Sequence, residues 1–154
     1  MTRNEYLTEV VQARIKHNEH YRQLPYRLKY DDATGKTIQE KFQTVGYGHK
    51  IIPGETLPTD KEGFEKLFVS DFDIAVKGVE TFDLPSGLPS EVYGVVVEMA
   101  YQMGTEGTRK FKKTLNYMRM GDFDNASVEM LDSDWATQTP HRAYELSEIV
   151  KNAE

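Results

Sequence analysis

A chain of 154 residues, 38% of them hydrophobic, is long enough to bury a core as one domain or as two small lobes sharing a helix. Its net charge of −6 lacks the basic face that a general nucleic-acid binder needs, and the absence of cysteine excludes disulfides, thiolate metal sites and thiol nucleophiles. No apolar run approaches the ~18 residues of a membrane span, so no stable membrane insertion is expected; the charged stretch Met1–His20 has no signal-peptide character.

In chain order, residues 5–19 place Leu7, Val10, Val11, Arg14, Ile15 and Asn18 on one stripe. This predicts a helix with Asn4 as its cap and its stop near Pro25. Tyr26–Tyr30 and Thr37–Val45 flank the turn-rich Asp31–Gly35, which predicts a β-hairpin over 26–45 with its tip at 31–35. Thr59-Asp-Lys-Glu62 reads as a capping box opening a helix over 60–80. Its stripe Phe64, Leu67, Phe68, Phe72, Ala75, Val76, Val79 should be buried, with Lys61, Lys66 and Lys77 in water. At about 30 Å such a helix can join two lobes. After the loop Leu84–Pro89, Ser90 is the expected cap of a helix carrying Val92, Val95, Val96, Val97, Met99 and Ala100. That helix is apolar on most sides and therefore buried. Further helices are expected around Phe111–Met120 and Asp122–Leu131, and a last one opens at Thr139-Pro140, with proline at the first helical position. The predicted class is α+β: a small N-terminal hairpin lobe joined by a long helix to a helical C-terminal lobe. We read residues 1–154 as one domain with lobes at roughly 15–58 and 80–154, helix 60–80 linking them and helix 1–14 packing on the C-terminal lobe.

The chemically informative stretch runs from Glu19 through the hairpin to Thr44-Val-Gly-Tyr-Gly-His49. A carboxylic acid at a helix end, opposite a second carboxylate, suits glycoside hydrolysis: one group protonates the leaving oxygen and the other activates water or attacks the sugar. Among 25 acidic residues, however, a glutamate at a helix end is most often a solvated charge. Trp135 reads as core, Tyr101 as a packing residue one turn from Val97, and His49 as a structural histidine.

The order and spacing of several motifs resemble the phage-type lysozymes, the T-even phage endolysin-like muramidases, over nearly the whole chain. They are the D-x-x-G turn, T-x-G-x-G-H, Tyr101-Gln-Met-Gly104, Ser133-x-Trp135 and Gln138-Thr-Pro-x-Arg142-Ala143. The resemblance implies a lysozyme-like fold and a peptidoglycan muramidase that inverts at the anomeric carbon, with no cofactor and no metal. Glu19 resembles the general acid, Asp32 the second carboxylate, and Thr44 the hydroxyl that holds the attacking water. Arg142 resembles the arginine that approaches the acid, and His49 and Asp71 an ion pair. Such a pairing is expected to favour the charged form of both partners. Lys50, Tyr101, Thr114 and Glu129 match positions that line the saccharide cleft.

This chain departs from the family in reading E-x12-D-x11-T, ten residues longer than E-x8-D-x5-T, with His20 where glycine usually follows the glutamate. Asp31 is the neighbouring alternative to Asp32, and a second alignment that matches Tyr26 puts Leu28 at the aspartate's position. The implied substrate is the β-1,4 bond between N-acetylmuramic acid and N-acetylglucosamine. The implied partners are a peptidoglycan strand, no nucleic acid and, in one setting, other virion proteins; a free protein is expected to be monomeric. Made in a host cytoplasm, it would reach the wall through a holin or as part of a virion. A single-glutamate lytic transglycosylase and a catalytically weakened module for wall binding or virion assembly are the alternatives.

Overall fold

The computed structural model describes residues 1–31 and 36–153, and between residues 23 and 43 it describes only backbone path and pairing. The chain divides into two compact units, residues 1–14 with 73–154 and residues 15–72. Both divisions fall inside helices.

The N-terminal helical run consists of α1 (Arg3–Tyr6), a π-helical segment (Leu7–Val11) and α2 (Gln12–Glu19). Its cap is Thr2, not Asn4: the Thr2 hydroxyl accepts from Glu5 N–H at 3.1 Å while Glu5 returns a bond to Thr2 N–H. Two orphan amides are thereby satisfied reciprocally two residues earlier than expected. The run stops at Glu19, well before Pro25, because His20 turns left-handed with φ 59° while its N–H still reaches Lys16 O.

In the unit of residues 15–72, β1 (Arg22–Asp31), β2 (Lys36–Gly46) and β3 (His49–Lys50) form an antiparallel sheet in the order β1-β2-β3. Lys29 pairs with Ile38, Tyr30 with Thr37 and Asp31 with Lys36, and the register slips on either side of Tyr26. The first strand starts at Arg22, ahead of the expected 26, and runs through Pro25. A proline is tolerated there because β1 is an edge strand and the slip adjoins it. The tip, including Asp32, lies outside the described residues.

Helix α3 (Lys61–Glu80) opens with Asp60 Oδ1 accepting from Gly63 N–H at 2.8 Å, so the observed cap sits one residue after Thr59. Phe64, Phe68, Phe72, Ala75 and Val79 are buried, whereas Leu67 and Val76 of the expected stripe are only half-buried. Lys61, Lys66 and Lys77 are exposed.

The other unit is built around α4 (Ser90–Met103), whose residues Val92 to Ala100 are all buried. Pro89, not Ser90, stands at its N-cap. The helices α5 (Thr105–Arg109), α6 (Lys112–Arg119), α7 (Phe123–Leu131), α8 (Asp134–Gln138) and α9 (Pro140–Lys151) follow. Against α4 pack α9 and the N-terminal run, and α9 packs in turn on α7 and α8. The helices approach closely at Gly94, where a Cβ would meet Val11 Cγ2 at 2.7 Å. Trp135 is buried, its indole N–H donating to Gln102 Oε1 at 2.9 Å and its ring edge-on to Phe111, which makes it a core residue. This mostly helical chain with its small antiparallel sheet is the α+β architecture expected.

Candidate active site

Glu19 is the last residue of α2, and its carboxylate lies against the turn between β2 and β3. A Cβ on Gly48 would fall 2.5 Å from Glu19 Oε2. Gly48 also holds φ +78°, a conformation glycine adopts without steric cost. The second glycine of T-x-G-x-G-H therefore lets the backbone turn and leaves room for the carboxylate. Thr44 sits four residues earlier on β2, half-buried, with its Cα opposite both Tyr26 and Lys50. Lys50 is exposed on β3.

The turn stands on an aromatic base. Tyr47 packs on Tyr21 with ring centroids 5.3 Å apart and on Phe68 at 5.5 Å, and Tyr21 meets Phe64 edge-on. Lys16 reaches over the Tyr47 and Phe68 rings to Glu65 Oε2 at 2.5 Å, and the Tyr47 hydroxyl donates to Glu65 Oε1 at 2.9 Å. The Lys16 hydrogen bond holds the Glu65 carboxyl below the usual carboxylate range, with Tyr47 adding to it. Tyr47 is pushed up to about 12 by burial and by the adjacent Glu65.

His49 lies between two carboxylates. Its Nδ1 is 2.7 Å from Asp71 Oδ2 and its Nε2 is 2.8 Å from Glu55 Oε1. Each ring nitrogen thus has its own carboxylate partner, one on the loop after β3 and one on α3. Glu55 also accepts from Ile52 N–H at 3.0 Å, and this bond and His49 lower its pKa. Asp71 departs from expectation. Burial raises its pKa, and the opposing hydrogen bond and charge of His49 do not cancel that, while Glu55 adds like-charge repulsion. Desolvation disfavours the ionised carboxylate more than its partner favours it.

In the unit of residues 1–14 with 73–154, Arg142 on α9 places Nε 3.3 Å from Glu98 Oε2, and Arg14 places Nε 2.6 Å from Glu98 Oε1. Tyr101 and Glu129 are half-buried on α4 and α7. Thr114 is only 2% exposed on α6, so it belongs with the core. Of the residues singled out from sequence, the structure brings Glu19 to the glycine turn and His49 to Asp71. It describes no neighbour for Asp32.

Sequence reading passed over Glu55, Glu65 and Glu98. Glu98 had a signal: a lone glutamate inside a nine-residue apolar run, with Arg14 on the apolar stripe of the first helix. Glu55 and Glu65 had none that local pattern could carry.

A carboxylic acid held beside a tight glycine turn, next to a strand bearing a hydroxyl, can deliver a proton to a leaving oxygen. A family model described as phage lysozyme matches residues 25–148. A "Probable T4-type lysozyme 2" from Dictyostelium discoideum is 28% identical, the match covering 75% of this chain and 86% of the relative. A "Probable T4-type lysozyme 1" from the same organism is 26% identical over 81% of this chain and 74% of the relative. An "Endolysin" of Bacillus phage B103 is 32% identical over 60% of this chain, which spans only 35% of that relative's length.

Proposed function

The chain belongs to the phage lysozyme family, and from that premise we propose that it hydrolyses the β-1,4 bond between N-acetylmuramic acid and N-acetylglucosamine in peptidoglycan, with inversion. The observation that carries the reading is the Glu19 carboxylate seated against Gly48 of the T-x-G-x-G-H turn.

In this reading Glu19 protonates the glycosidic oxygen as the bond breaks. Water adds to the opposite face of the sugar, held by Thr44 and deprotonated by Asp32, whose assignment rests on the sequence pattern alone. An inverting pair needs its carboxyls about 6.5–9.5 Å apart so that the water fits between them. Arg142, Lys50, Tyr101 and Glu129 keep in this reading the roles that the family resemblance implies for them. The protein acts at the peptidoglycan layer, reached through a holin or carried in a virion.

Purified peptidoglycan is the test substrate, with release of reducing ends as the readout. Wild-type protein should release them, and folded Glu19→Gln should lose ~10²–10⁴-fold in rate, because an amide cannot donate the proton. Retained activity in Glu19→Gln removes that residue from the mechanism. Anhydro-muramic products in place of reducing ends would identify a transglycosylase.

A further inference from the structure

Glu98 is fully buried, at 0% exposure, in the middle of the most apolar helix of the chain. A carboxylate there costs several kcal/mol of desolvation, and replacing a buried ion cluster with hydrophobic residues of similar volume is often neutral or stabilising. Val95, Val96, Val97 and Met99 around it show what would suit that position for packing alone. A charge kept there has to do something that packing does not.

Its geometry is that of a divider between two cations. One oxygen takes Arg14 at 2.6 Å and the other takes Arg142 at 3.3 Å. Arg14 depends on the pairing, since its Nη2 is buried with no hydrogen-bond partner among the described residues. Burial alone would weaken its charge, yet the Glu98 carboxylate, with Tyr6 adding to it, more than offsets this and favours the protonated guanidinium. Arg14 is also five residues before Glu19 on one continuous helix, about 7.5 Å of axial rise. The hydrogen bond at Arg14 therefore falls on the same helix, α2, that ends at Glu19.

We propose that Glu98 is a positioning residue for hydrolysis, holding through Arg14 the helix α2 that carries Glu19. The assignment rests on the reading of Glu19 as the general acid. Fully buried, Glu98 touches no substrate, and its effect falls on turnover.

The test compares Glu98→Gln and Glu98→Asp with wild type on purified peptidoglycan, at a temperature where thermal unfolding shows each protein folded. Glu98→Gln keeps the shape and removes the charge. It should lower kcat about tenfold with KM within about twofold, a shift of about half an ångström costing less than the ~10²-fold of a 1 Å misplacement. Glu98→Asp, which restores the charge, should recover part of the loss. A merely structural role would leave kcat per folded molecule unchanged, so unchanged kcat, or Asp no better than Gln, overturns the proposal. Should Glu98→Gln not fold, the double variant Arg14→Met with Glu98→Met removes both charges. It should fold and still turn over slowly, and wild-type kcat in it overturns the proposal. A readout independent of turnover is the ¹³C carboxyl signal of Glu19, which should move in Glu98→Gln; no movement overturns the assignment even if the hydrolytic reading stands. Activity surviving in Glu19→Gln would defeat that reading instead, with the Glu19 signal still deciding whether Glu98 positions the helix.

Discussion

Replacing Gly48 with alanine separates the fit of the acid from the stability of the fold. The added Cβ would lie 2.5 Å from Glu19 Oε2, 3.0 Å from Cδ and 3.4 Å from Cγ. The carboxylate must retreat by about 1 Å to reach ordinary van der Waals separation. Because the obstructed atoms end a flexible side chain, that retreat costs the fold little. The larger stability term is the backbone at φ +78°, where a side chain costs roughly 1–2 kcal/mol. A catalytic group displaced by about 1 Å loses ~10²-fold in rate. The expectation is a folded Gly48→Ala protein, about 1–2 kcal/mol less stable in urea unfolding, releasing reducing ends from peptidoglycan on the order of 10²-fold more slowly. Near-wild-type turnover in that folded variant would refute the claim that the working position of the Glu19 carboxylate is the one against Gly48.

Four other outcomes follow from the same physics. His20→Gly should stabilise the protein by about 0.5–1 kcal/mol, the left-handed strain at φ 59° relieved less the greater chain entropy of glycine; a lower urea midpoint would contradict it. Phe68→Ala should cost about 3–5 kcal/mol, since a ring 2% exposed leaves a cavity under Tyr47 and Phe72, and a near-neutral change would put the core elsewhere. Glu65 titrates below its ordinary value of 4.5, so its contribution to stability is complete above that value and lost as pH falls through the lower folded one. Tm should drop less steeply below pH 4.5 in Glu65→Gln than in wild type, and identical slopes would remove the Lys16–Glu65 contact from the balance. Asp71 has the opposite sign. Its folded pKa lies above the ordinary 3.8, so between the two values stability falls as pH rises, which a carboxyl titration of Asp71 by NMR checks directly.

Much of the fold was written in local pattern. The 3.6-residue stripe at Phe64, Phe68 and Phe72, the apolar run from Val92, the Thr139-Pro140 start and the turn-rich interval after Tyr30 each specify an element through residues a few positions apart. Helix boundaries moved by one or two residues, as at Thr2, Asp60 and Pro89, because capping depends on which side chain reaches an orphan amide. The short helices α5 and α8 went unread, since five residues carry too little periodicity. Glu19 was legible as an acid at a helix end, but its seat against Gly48 was not, because 28 intervening residues must fold before the two meet. Tertiary structure alone decided the charges. Glu55 joins His49, Asp71 is raised rather than lowered, and Glu98 draws in Arg14 from 84 residues away and Arg142 from 44. Periodicity records which face of an element is buried, whereas the state of a charge depends on how dry its surroundings are and which opposite charge reaches it, and both exist only once distant segments have packed.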